Sequence, residues 1–99
     1  MKPVLTAAAI SLLTATTIMA GPIDRACVRS NGGADPMLCD CIQRVANMTL
    51  TGSDQKIAAQ FFSDPSKAQQ VRQSARTAHQ EFWQRYVSFG SAAESVCSR

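Results

Sequence analysis

The stretch that decides the fold is Asp35-Pro36-Met37-Leu38-Cys39-Asp40-Cys41-Ile42-Gln43-Arg44-Val45-Ala46-Asn47-Met48-Thr49-Leu50. Aspartate followed by proline marks a helix start, because the carboxylate caps the first free amides and proline's fixed φ suits the first turn. Leu38, Cys41, Ile42, Val45 and Thr49 then recur at helical steps and form one stripe. Cys39, Ala46 and Leu50 lie on one shoulder of it, and Met37, Cys41 and Met48 on the other. The spacing predicts a helix over 36–50, apolar over a wide arc and therefore packed between two neighbours.

Upstream, Pro22 opens a short helix whose inner face is Ile23, Ala26 and Cys27, and Asn31-Gly32-Gly33 ends it. Downstream, Thr51-Gly52-Ser53 breaks the pattern. Ser53 is expected to cap a third helix that begins at Asp54 and buries Ile57, Ala58, Phe61 and Phe62. Asp64-Pro65 repeats the restart signal. From Ala68 through Val71, Ala75, Ala78, Phe82, Tyr86, Phe89 and Ala93 to Val96, every step is three or four residues. A bend is expected near Ser74–Thr77, where Thr77 and Gln80 match a capping box, and a second interruption at Gly90. No run alternates as a strand would. The fold class is all-α: a small disulfide-stapled bundle of four or five helices in a single domain over residues 21–99.

Residues 1–20 read differently. Lys2 is the only charge before Asp24, and the intervening run from Val4 to Ala20 is apolar and small. This is the pattern of a secretory signal peptide, with cleavage expected after Ala20 and a mature chain starting at Gly21. Removing it takes one of the ten basic residues and none of the seven acidic ones, leaving a weak, scattered net charge of +2. That balance argues against nucleic acid, which needs a basic patch or stripe. No later segment is apolar for long enough to span a bilayer, so no membrane contact is expected after cleavage.

All four cysteines, Cys27, Cys39, Cys41 and Cys97, fall in the mature part. In a small exported chain an even count reads as a disulfide framework. Cys39 and Cys41 are about 200° apart on a helix with only about 3 Å of rise, so they reach different partners rather than each other. Cys27 and Cys39 flank Gly33 symmetrically, which favours Cys27–Cys39 with Cys41–Cys97; Cys27–Cys41 with Cys39–Cys97 is the alternative. Loop-closure entropy assigns about 3 kcal/mol to the short loop and about 4 to the long one, so loss of Cys97 is expected to destabilise more than loss of Cys27. Two sharper readings of these residues are weaker. Asp40 would raise, not lower, the thiol pKa values of a Cys39/Cys41 redox pair. A zinc site built from cysteines, with or without His79, lacks a regular ligand spacing.

Among the remaining residues, His79 is the single histidine and is expected at the edge of the apolar face, without a catalytic partner. Phe82, Tyr86 and Phe89 belong to the core stripe, and Trp83 lies to its side. The aspartates Asp24, Asp35, Asp54 and Asp64 sit at helix starts, where the backbone explains them. Arg72, Arg76, Arg85 and Lys67 are read as an outer face. Asn47-Met48-Thr49 matches a glycosylation triplet but falls within a helix, and no role is assigned to it. No phosphate-binding loop, nucleophile elbow or paired-carboxylate motif occurs.

Taken in order, Arg25-Ala26-Cys27, Cys39-Asp40-Cys41-Ile42-Gln43, Thr49-Leu50-Thr51, Ala58-Ala59-Gln60-Phe61-Phe62-Ser63-Asp64-Pro65, Val71-Arg72-Gln73-Ser74, Phe82-Trp83-Gln84-Arg85-Tyr86 and Cys97 carry a resemblance. The chain resembles a family of small exported four-cysteine proteins of Rhodobacter-related α-proteobacteria, whose members often bear the automatic label "arginine transporter". The resemblance covers nearly all of residues 21–99. It implies a bacterial periplasmic setting and brings no catalytic residues with it. The label implies transport, yet a soluble arginine-binding component is normally far larger, since two lobes must close on the ligand.

The functional expectation is therefore a periplasmic binding or interaction module without catalysis, metal or cofactor. Its surface for a protein partner is expected at Trp83, Arg85 and Arg72, since aromatics and arginines dominate interfaces. The alternatives are a thiol oxidoreductase using Cys39 and Cys41, and an accessory to arginine transport. Oligomeric state is left open.

Overall fold

The computed structural model describes residues 21–30 and 34–98; the expected signal peptide, 1–20, lies outside them. Among the described residues five helices follow one another: α1 (Pro22–Arg29), α2 (Pro36–Thr49), α3 (Gly52–Ser63), α4 (Pro65–Arg72) and α5 (Thr77–Cys97). Among the described residues there is no strand. The all-α, disulfide-stapled bundle is thus the observed fold.

Local chemistry sets most boundaries. Pro22 stands in the first turn of α1, with Asp24 beside it. Asp35 Oδ1 accepts the Met37 N–H at 3.0 Å and starts α2. Asp64 ends α3 and begins α4 at once: its N–H donates to the Gln60 carbonyl at 2.9 Å, while its carboxylate accepts the Ser66 N–H at 3.2 Å. The start of α3 corrects the expectation. Thr51, not Ser53, is the cap, and a capping box closes with Asp54 accepting the Thr51 N–H at 3.3 Å and Thr51 Oγ1 accepting the Asp54 N–H at 3.1 Å. The threonine wins because its partner three residues on is an acid; Ser53 has only Lys56 there.

The long C-terminal pattern breaks once, not twice. Residues 73–76 separate α4 from α5, held by the Arg76 N–H on Ser74 Oγ and by His79 Nδ1 at 2.8 Å from the same hydroxyl. Thr77 is the first helical residue of α5 and not its cap; Arg76 occupies the cap position without a side-chain bond. Gly90 does not interrupt the helix, which continues for 21 residues. One glycine weakens a helix by about 1 kcal/mol, less than the packing of the flanking turns restores.

The core joins Ile23, Ala46, Leu50, Ala58, Phe61, Phe82 and Phe89 from α1, α2, α3 and α5. Tyr86 lies at its edge with its ring 5.3 Å from Phe61 and 5.2 Å from Trp83, and burial pushes its phenol pKa up. As expected, α2 packs between two neighbours, α1 and α5. Its buried arc is wider than the stripe read from the pattern: Val45 of that stripe is sealed, and so are Cys39, Gln43, Ala46 and Leu50, whereas Leu38 is 40% exposed. At the far end of α5, Val96 was read as core and is 62% exposed. Periodicity locates a stripe but not the neighbour that covers it, and the end of α5 has only the flank of α2 beside it.

The two bridges are Cys27–Cys39 and Cys41–Cys97, closing sequence separations of 12 and 56 residues. The first is sealed, with 3% and 0% exposure. The second is half-buried and ties the outer flank of α2 to the last turn of α5. The bridges place the folded protein in an oxidising, extracytoplasmic environment. No helix among the described residues is long and apolar enough to cross a membrane.

Candidate functional site

Helix α2 presents two faces of different chemistry. On the inner side, the Gln43 carboxamide is buried where α1, α2 and α3 meet. Its Oε1 accepts the Asp24 N–H at 2.9 Å. Its Nε2 donates to Asn47 Oδ1 at 2.9 Å and to Gln55 Oε1 at 2.7 Å. Gln55 in turn donates to Asn47 at 3.2 Å. Among the described residues no buried side-chain polar atom lacks a partner. Gln43 also presses on α1: a β-carbon at Gly21 would collide with its carboxamide. This network is structural, and it uses Asn47 of the glycosylation triplet as an acceptor.

A second polar link crosses the bundle. Arg85 on α5 forks onto Asp54 at the start of α3, Nε to Oδ2 at 2.7 Å and Nη2 to Oδ1 at 3.0 Å. The guanidinium, through this hydrogen bond, holds the Asp54 carboxyl below its usual range. Asp54 therefore has three tasks: helix-dipole acid, half of the capping box, and counter-ion of α5.

The outer side of α2 is different. Met37 is 81% exposed and Met48 is 75% exposed. Three residues, Met37, Cys41 and Met48, lie within about 40° of one another around the helix, so they form a single strip. Val96 of α5 borders it, and Cys41, Arg44, Val45, Met48 and Val96 line one shallow groove. The groove runs on past Met37 and Leu38 over the Cys41–Cys97 bridge. Arg44 and Asp40 pair along its edge at 3.2 Å. Apolar side chains on rigid helices around a covalent staple make a surface able to bind; methionine in particular adapts to irregular partners.

Of the residues singled out from sequence, Trp83 is half-buried and packed on Tyr86. Arg85 is engaged by Asp54, and Arg72 stands exposed at the end of α4. The structure draws these three to different tasks. His79 is half-buried, its Nδ1 2.8 Å from the Ser74 hydroxyl in the turn that joins α4 to α5. The four sulfurs are all consumed in bridges, and Cys39 and Cys41 bond to different partners. Among the described residues no cluster of three or more His, Cys, Asp or Glu side chains is placed to hold a metal ion.

Compared with protein-family models, with curated proteins and with solved structures, the chain matches none of them. What the fold and site define is a class: a five-helix, doubly stapled domain with an open methionine strip.

Proposed function

We propose that the protein is an exported, periplasmic interaction module that works by binding another polypeptide and not by catalysis. One observation carries this reading: Met37, Met48 and Val96 stand 81, 75 and 62% exposed along one strip of the stapled helices, with Val96 bordering the groove at each methionine. Large apolar side chains grouped on a surface mark binding sites, and a staple that holds α2 and α5 together keeps the groove preformed, lowering the ordering cost of association. A signal peptide at residues 1–20 delivers the chain to the compartment where the bridges form. The Met37–Met48 groove takes precedence over the Trp83, Arg85 and Arg72 surface, because Trp83 and Arg85 have partners inside the bundle.

The test is capture of periplasmic proteins by the immobilised oxidised domain, with Met48→Asp and Trp83→Ala compared. A partner retained by the wild type and by Trp83→Ala but lost with Met48→Asp supports the reading. Absence of any partner, or equal retention by all three, overturns it.

A further inference from the structure

The outer face of α2 is complementary to itself, and we infer that its partner is a second copy of this chain. The inference rests on the binding reading above and names the occupant of that groove. Met37 and Met48 lie 11 positions apart, with their midpoint between Ile42 and Gln43. If two α2 helices cross antiparallel about a two-fold axis at that midpoint, Met37 of each lies opposite Met48 of the other. Cys41 and Arg44 share the same midpoint, so the bridge of one copy lies level along the axis with Arg44 of the other.

The charges follow the same rule. Asp40 and Arg44 lie on one edge of the strip, about 40° apart. A two-fold axis of this kind brings like edges of the two helices together. Asp40 then meets Arg44 of the second copy with an offset of only about 1.5 Å along the axis. The pair seen within one helix at 3.2 Å becomes an alternating row of four charges along one edge of the apolar strip. Such an isologous contact closes on itself and yields a dimer, not a filament. Apolar anchors, arginine at the edge and a small footprint suit a concentration-dependent association.

Sedimentation velocity of oxidised residues 21–99 over a wide concentration range tests the pairing. The expected result is a weight-average mass rising from one chain toward two. Met48→Asp, at an exposed position, should leave the thermal melt unchanged and keep the protein monomeric. Arg44→Asp sets carboxylates against carboxylates and should weaken association about tenfold or more. The exchange Asp40→Arg with Arg44→Asp restores the alternation and should recover most of that loss.

A wild type that stays monomeric throughout, or one whose association ignores these substitutions, overturns self-pairing. If a monomeric wild type still captures another protein through Met48, the binding reading survives with a different occupant. If neither association nor capture occurs, both fall.

Discussion

The inner and outer faces of α2 differ in the opposite sense to their composition. The inner face holds Gln43 at its centre, buried among Cys39, Ala46 and Leu50. The outer face holds two methionines and Cys41 of a disulfide, and it is open. A polar residue inside and apolar residues outside teach that burial follows available partners as well as hydropathy. Gln43 is tolerated because each of its polar atoms is bonded; an unpaired amide there would cost about 1–3 kcal/mol. Met37 and Met48 stay outside because α1 and α5 already cover the rest of the helix.

Removing the bridges gives the largest expected effect and separates the faces. Loop closure alone ranks Cys41–Cys97 above Cys27–Cys39, about 4 against about 3 kcal/mol. Cys27→Ala with Cys39→Ala also empties two sealed sulfur positions, at about 1 kcal/mol or more each. The inner double variant should therefore be the less stable in urea melts, reversing the order that loop length suggests. Should the outer variant prove weaker, loop entropy outweighs packing. The half-exposed Cys41–Cys97 bridge should also be reduced first by a small thiol, as seen by alkylation and mass analysis.

Next in size is Gln43→Leu. It removes the acceptor for the Asp24 amide and leaves Asn47 and Gln55 without their shared donor, so a loss of about 2–3 kcal/mol is expected. A neutral or stabilising result would make the junction ordinary core. Met48→Leu on the outer face should change stability by less than about 0.5 kcal/mol.

The Asp54–Arg85 pair gives a smaller, pH-dependent effect. Because the folded carboxyl lies below its unfolded value of about 3.9, the unfolded state binds more protons around that pH. Its contribution is complete above the unfolded value and is lost as pH falls through the folded one. Arg85→Met should flatten this acid limb of the stability curve, measured by urea midpoints, relative to the wild type. An unchanged limb would show that solvent screens the pair at its exposed guanidinium.

Small effects of opposite sign come from two glycines. A methyl at Gly90 meets nothing within 4 Å, so Gly90→Ala should stabilise by about 0.5–1 kcal/mol. Gly21→Ala should destabilise, because the methyl displaces Gln43 and strains the polar junction. Thermal melts of both variants, expected to move in opposite directions, check this.

How much of this was legible in the chain follows from the range of each interaction. The helix starts at Pro22, Asp35-Pro36 and Asp64-Pro65, the inner residues Ile23, Phe61, Phe82 and Phe89, and the preferred bridge pattern could all be read from local chemistry and spacing. The cap at Thr51 was missed by two residues, although its acid at Asp54 was a usable signal. The uninterrupted path through Gly90 was decided by packing on both sides of it. Arg85 with Asp54, 31 positions away, and Gln43 with Gln55 and the start of α1 carry no sequence signal, because chain separation says nothing about which surfaces meet. For the candidate site, Met37, Cys41 and Met48 were legible as one shoulder of α2. That this shoulder faces outward was decided only when α1 and α5 took the other positions. Sequence alone determined the helical class, most of the helix starts and the presence of a disulfide framework, since caps, prolines and periodicity act within a few residues. The tertiary structure alone decided which polar groups went inside and which apolar ones stayed out, since that depends on the neighbours that three-dimensional packing supplies.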